Sequence, residues 1–115
     1  MMWRLLAGLD AVFLFIVSVI PVPEGGPEIP YFDKLVHLCE YFLFAWLLAR
    51  AFRAGPRAFR NAWSMAVGYG IAIELVQAMI PWRSAELLDA IANAIGAALG
   101  IYVAKMMVKE EVRRP

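Results

Sequence analysis

The stretch Asp33-Lys34-Leu35-Val36-His37-Leu38-Cys39-Glu40-Tyr41 threads polar and ionisable groups through an otherwise apolar run. A second set follows downstream: Glu74-Leu75-Val76-Gln77, then Arg83, then Asp89 and Asn93. Spacings of three and four residues place the members of each set on one side of a helix. Ionisable groups are costly within apolar helices, and there they face a bundle interior or a wet cavity rather than lipid. The chain is 63% hydrophobic and only 18% charged, too apolar for an ordinary globular surface. Together these features predict an all-α fold, an integral membrane bundle of four transmembrane helices, with a polar site inside it.

At 115 residues the chain makes a single domain. A net charge of +1 calls for no nucleic-acid partner. The one cysteine, Cys39, excludes an internal disulfide and a cysteine-based zinc site. Within an apolar run, it reads as a packed thiol rather than a nucleophile.

About 20 mostly apolar residues cross the hydrocarbon, and about 17 is near the lower limit. Four segments come close, at about Leu5 to Ile20, Asp33 or Lys34 to Phe52, Asn61 to Ile80, and Ala85 to Val108. The first stops at Pro21 and the third at Pro81, while Asp33 and Ser84 are placed to cap the second and fourth. The first segment follows Arg4 as a secretory signal would, but Asp10 interrupts it and no small-x-small site follows. It reads as a retained span, with Asp10 as an interfacial charge beside Arg4 or a neighbouring helix.

Orientation follows from the basic residues. Of the 11 Lys and Arg, nine fall on one side: Arg4; Arg50, Arg53, Arg57 and Arg60; and Lys105, Lys109, Arg113 and Arg114. The chain is therefore expected to be a multi-pass membrane protein with both termini and the Arg-rich loop cytoplasmic. His37 and Tyr41 then lie one and two turns into the second span from its outer end. Gln77 and Glu74 take the same depths in the third span, and Asp89 and Asn93 in the fourth. At a rise of about 1.5 Å per residue, all six fall roughly 6–12 Å below the outer boundary. Matching depth on three helices implies a shallow polar pocket opening outward.

The individual groups leave several chemistries open. His37 among carboxylates suits a proton relay, a ligand-binding group or an interhelical hydrogen bond. With one His, a zinc site would need two or more carboxylates from Asp33, Glu40, Glu74 and Asp89, and no metal or other cofactor is expected. Glu74, two turns inside an apolar helix, must be protonated, wet or paired, with Arg83, Lys34 and His37 as candidate cations. Unpaired, it costs about 3 kcal/mol. Arg83 and Lys34, beside two helix starts with free N–H groups, can grip a phosphate or carboxylate, or can simply snorkel to the interface. Gly96 and Gly100 form a G-x-x-x-G face for close helix packing, within the bundle or in a homo-oligomer. Trp3, Tyr31, Phe32, Trp63 and Trp82 fall near span ends, as interfacial aromatics do.

At these residues the chain resembles the VanZ-like family of bacterial membrane proteins. The likeness is carried by Asp33-Lys34-x-x-His37-x-x-x-Tyr41, Glu74-Leu75-Val76-Gln77, Pro81-Trp82-Arg83 and Asp89-x-x-x-Asn93-x-x-Gly96-x-x-x-Gly100. It covers about residues 33–100, and no signature residue is missing. The family takes its name from a protein associated with resistance to the glycopeptide teicoplanin, which implies action at the cell envelope but supplies no reaction.

The leading expectation is an outward pocket that binds membrane lipids, such as an envelope lipid or a lipid-linked precursor, through Asp33, Lys34, His37, Tyr41, Glu74, Gln77, Arg83, Asp89 and Asn93. The alternatives are a membrane-embedded hydrolase or transferase using water activated by His37 with Glu74 or Asp89, and a small oligomeric transporter. All depend on the topology, which predicts a labelling pattern. On a Cys39→Ser background, Gly25→Cys or Ser84→Cys should react with a membrane-impermeant thiol reagent in intact cells. Gly55→Cys should react only after the membrane is broken, and the reverse pattern would move the pocket to the cytoplasm.

Overall fold

A computed structural model describes residues 1–21, 32–52, 56–83 and 85–113. They form four helices and no strand: α1 (Met2–Val19), α2 (Phe32–Ala51), α3 (Pro56–Ala78) and α4 (Leu87–Arg113). Proline at the first position of α3 suits a helix start, because its missing N–H would have no intrahelical partner. α3 ends where Met79 and Ile80 bond back to Val76 and Gln77 at a spacing of three residues, and Pro81 follows. One expected cap is not found, since Asp33 lies inside α2 rather than ahead of it. Ser84, expected to cap the fourth helix, lies outside the described residues.

α2 is the central element and packs against each of the other three helices, while α1 and α4 do not meet. α2 and α4 run in the same direction, with Lys34 beside Asp89 at one end and Arg50 beside Glu111 at the other. Small residues make the inner faces. Ala45, Ala49, Ala62, Ala66, Ala97 and Ala104 are completely buried. Tyr41, Phe44, Leu14 and Ile73 fill the space between them. Trp3 stacks edge-on against Trp46, and the Arg50 guanidinium lies over both rings.

The large apolar residues point outward instead. On α4 they form a continuous stripe of Leu88, Ile91, Ile95, Leu99, Tyr102 and Met106, all exposed. Leu9, Phe13 and Ile16 do the same on α1, and Met65, Ile71 and Leu75 on α3. Meanwhile Ser18, Glu74, Gln77, Asp89 and Asn93 are buried. This distribution is the inverse of a water-facing domain, where apolar patches of such extent are rare.

Among the described residues, α1 and α4 are long and apolar enough to cross a membrane, where four such helices were expected. The shortfall has a physical cause. α2 carries Asp33, Lys34, Glu40 and Arg50, and α3 carries Asn61, Glu74 and Gln77, so the residues of the polar site dilute their own helices. Cys39 is also corrected: it is exposed on α2, not packed.

The tightest helix contact uses the two glycines. A Cβ on Gly96 would stand 2.2 Å from the Leu38 carbonyl oxygen, and one on Gly100 2.2 Å from that of Phe42. The small-residue face of α4 is thus filled by the α2 backbone of the same chain. Gly68, by contrast, has nothing within 4 Å of such a Cβ. Gly96→Ala and Gly100→Ala should each destabilise the bundle by about 1–3 kcal/mol through overpacking. Gly68→Ala should be near neutral, and unfolding of the detergent-solubilised protein checks both.

Candidate functional site

The parallel approach of α2 and α4 brings their first turns together and, with them, most of the residues singled out by the sequence. Lys34 Nζ donates to Glu86 Oε2 at 2.5 Å and lies 2.8 Å from Asp89 Oδ1. One turn further in, His37 Nδ1–H donates to Asn93 Oδ1 at 3.1 Å. That bond leaves the Nε2 lone pair of a neutral ring free. Nε2 stands 3.8 Å from Asp89 Oδ2, too far for a hydrogen bond but close enough to form an ion pair once the ring is protonated. The ring is therefore fixed by α4 on one edge and available on the other.

Glu74 enters from α3 and is 7% exposed. Its partner is none of the three cations expected. The backbone N–H of Glu86, just ahead of α4, donates to Glu74 Oε2 at 3.1 Å. An N–H at a helix start is a natural anion site, and here the chain's own carboxylate occupies it. The other oxygen, Glu74 Oε1, is buried with no hydrogen-bond partner among the described residues. Behind it the packing is close. A Cβ on Gly70 would lie 3.2 Å from both Asn93 Nδ2 and Tyr41 Cε1, so α3 approaches the site as nearly as a glycine allows. Tyr41 is 2% exposed and forms part of the floor against Phe44.

Arg83 does not present its guanidinium to an anion. Its Nε–H donates to the Ile20 carbonyl at 3.0 Å, and Nη2 reaches Val17 and Ile20 carbonyls at 2.6 and 2.7 Å. Trp82 Nε1–H adds a bond to the Val19 carbonyl at 2.8 Å, and Gln77 Nε2–H one to that of Ser18 at 3.0 Å. The last turn of α1 leaves its carbonyls without intrahelical donors. The turn after α3 supplies those donors, and the cation suits the negative end of the helix.

Between these elements lies a cavity of about 290 Å³. Val17 and Ser18 of α1, Phe32, Val36, His37 and Glu40 of α2, Gln77 of α3, and Arg83 line it. Gln77 is 4% exposed, and its Oε1 has no hydrogen-bond partner among the described residues. Two contributors were not selected from sequence: Ser18 in the cavity and Glu86 beside Lys34. Glu40, read from the sequence as a member of the first polar set, does line the cavity with His37. Nothing in the sequence marks Ser18. Asp10, expected at an interface beside Arg4, is instead half-buried in the middle of α1, within charge reach of Glu40. The side chain of Asp33 lies outside the described residues. Among those described, no group of three or more His, Cys, Asp or Glu is arranged to hold a metal ion.

The same residues decide the family. A model described as VanZ/LLP1 matches residues 3–108, nearly the whole chain and well beyond the signature segment. The chain belongs to the VanZ/LLP1 family. No curated protein and no solved structure matches it. Family membership and the two apolar helices indicate that this VanZ-family chain is a membrane protein. The family match also takes in α1, which supplies two walls of the cavity.

The grip of Arg83 on α1 carries a prediction. Arg83→Ala should cost about 1.5–3 kcal/mol, the range for hydrogen bonds to a charged donor. Arg83→Lys should recover only part of it, because the ammonium lacks the guanidinium fork. Hydrogen exchange should quicken selectively in the last turns of α1, and an unchanged exchange pattern there would show that α1 is held by other contacts.

Proposed function

We propose that this VanZ-family protein crosses the bacterial cytoplasmic membrane four times, with both termini inside. In this reading the cavity between α1, α2 and α3 receives the head group of an envelope lipid or a lipid-linked precursor at the outer leaflet. One observation carries the reading: a cavity walled by His37, Glu40 and Gln77 at one end of a bundle whose outside is apolar. Ligand sites of this kind are mostly apolar, with a few placed polar groups that fix orientation. Val17, Phe32 and Val36 supply the apolar part here. The orientation of both termini follows from the bias of nine basic residues to one side. Lys34 and Asp89 keep α2 and α4 joined beneath the mouth, and Asn93 holds the His37 ring in one orientation.

Action on an envelope lipid would account for a link between such a protein and susceptibility to teicoplanin-type glycopeptides. A catalytic reading rests on His37, whose Nε2 is free to take a proton from water with Asp89 to balance the charge. It would show as turnover of a lipid-linked substrate that stops in His37→Gln.

The binding reading is tested by the lipid that the protein retains. Wild-type protein purified in mild detergent should carry a defined lipid at near-stoichiometric amount, read by mass spectrometry. His37→Ala and Gln77→Leu should accumulate in the membrane yet lose most of it. Variants that keep the same lipid complement would remove the cavity from consideration.

A further inference from the structure

We infer that the cavity selects a head group bearing a primary ammonium, not an anionic one. The inference rests on the reading of this cavity as a head-group site and follows from which hydrogen-bonding atoms are left over. Only two basic residues, Lys34 and Arg83, belong to this end of the chain, since no other Lys or Arg occurs between 5 and 49 or between 61 and 104. Both are committed. Lys34 holds Glu86 and Asp89, and Arg83 holds the carbonyls at the end of α1. Two further donors at the cavity are used within the chain, a Gln77 Nε2–H on the Ser18 carbonyl and His37 Nδ1–H on Asn93.

The buried side-chain atoms at this end that lack a hydrogen-bond partner among the described residues are acceptors. Gln77 Oε1 is fully buried at the cavity wall, in a side chain 4% exposed. Glu74 Oε1, three residues earlier on α3, is likewise buried without a partner among the described residues. Glu40 lines the cavity and meets its neighbours His37 and Asp10 through charge alone. A buried acceptor left without a donor costs about 1–3 kcal/mol, so an occupant that donates is favoured over one that accepts. Charge points the same way. Neither Glu40 nor Glu74 forms an ion pair with a Lys or Arg among the described residues, though His37 reaches both through charge, and carboxylates in apolar surroundings are stabilised by a cation. An ammonium offers three N–H donors and one positive charge. A phosphate would bring only acceptors and further negative charge, so its place is at the mouth, in water, and not among these residues.

Ligand-induced thermal stabilisation of wild-type protein in detergent separates the possibilities. The probes are phosphatidylethanolamine, phosphatidylcholine, phosphatidylglycerol and free ethanolamine. Phosphatidylethanolamine should act at about a tenfold lower concentration than phosphatidylcholine, whose quaternary nitrogen cannot donate, or phosphatidylglycerol. Glu40→Gln should bring phosphatidylethanolamine to the level of phosphatidylcholine. The comparison among lipids is made on the wild-type protein and so holds whether or not that variant accumulates. Equal or tighter action of phosphatidylglycerol or phosphatidylcholine overturns the ammonium assignment and leaves the head-group reading standing. Stabilisation by free ethanolamine alone supports the ammonium and overturns the lipid. No stabilisation by any of the four overturns both.

Discussion

The backbone of α4 lies so close to that of α2 that even a methyl group on Gly96 or Gly100 would collide with a carbonyl oxygen, at 2.2 Å in each case. Apolar side chains gain little by leaving lipid for one another, so close approach of backbones is a main source of helix association in a membrane. Here it also sets where everything else falls. With the two helices parallel and nearly touching, their first turns sit side by side. Lys34 then reaches Asp89, and His37 reaches Asn93. A bulkier residue at either glycine would push apart the pairs that make the site.

Around that contact the chain is built with small residues inside and large ones outside. Completely buried alanines on α2, α3 and α4 let the helices close up, while leucine, isoleucine and phenylalanine face outward. The polar residues then have only the interior left, and there they are made to satisfy one another. The carboxylate of Glu74 takes the N–H that opens α4, and the side chains after α3 close the end of α1. Helix termini carry most of this load, because that is where backbone donors and acceptors stand unpaired. Of the buried acceptor atoms left over, Gln77 Oε1 lies in the wall of the cavity.

The other end of the bundle shows the contrasting case. Arg50 lies over the rings of Trp3 and Trp46 and makes a two-pronged pair with Glu111, at 3.2 and 2.6 Å. Trp46 Nε1–H meets Met107 Sδ, and the Tyr69 hydroxyl donates to the Ala11 carbonyl nearer the middle. These groups fasten α1, α3 and α4 to each other or to α2, and the cation there is stacked and paired.

Much was legible in the sequence because periodicity is a local property. The all-α class, four helices with ends within a few residues, the facing of His37 and Glu74 into the bundle and the packing role of Gly96 and Gly100 all follow from spacing and chain breaks. What periodicity cannot supply is the partner on the next helix, which depends on how the helices cross and how far a side chain reaches. Arg83 and Lys34 have long stems and several acceptors within range, so their sequence positions left anion binding and self-satisfaction equally open. The fold directed Arg83 to the carbonyls of Val17 and Ile20 and Lys34 to Glu86 and Asp89. It likewise gave Glu74 a backbone donor in place of a cation, drew Ser18 and Glu40 to one cavity, and turned Cys39 outward. Which residues are polar, and on which turn of each helix, was fixed by their order along the chain. Which of their atoms stay unpaired was decided only when the helices met, since a hydrogen bond is settled by distances of a few tenths of an ångström between segments far apart in sequence.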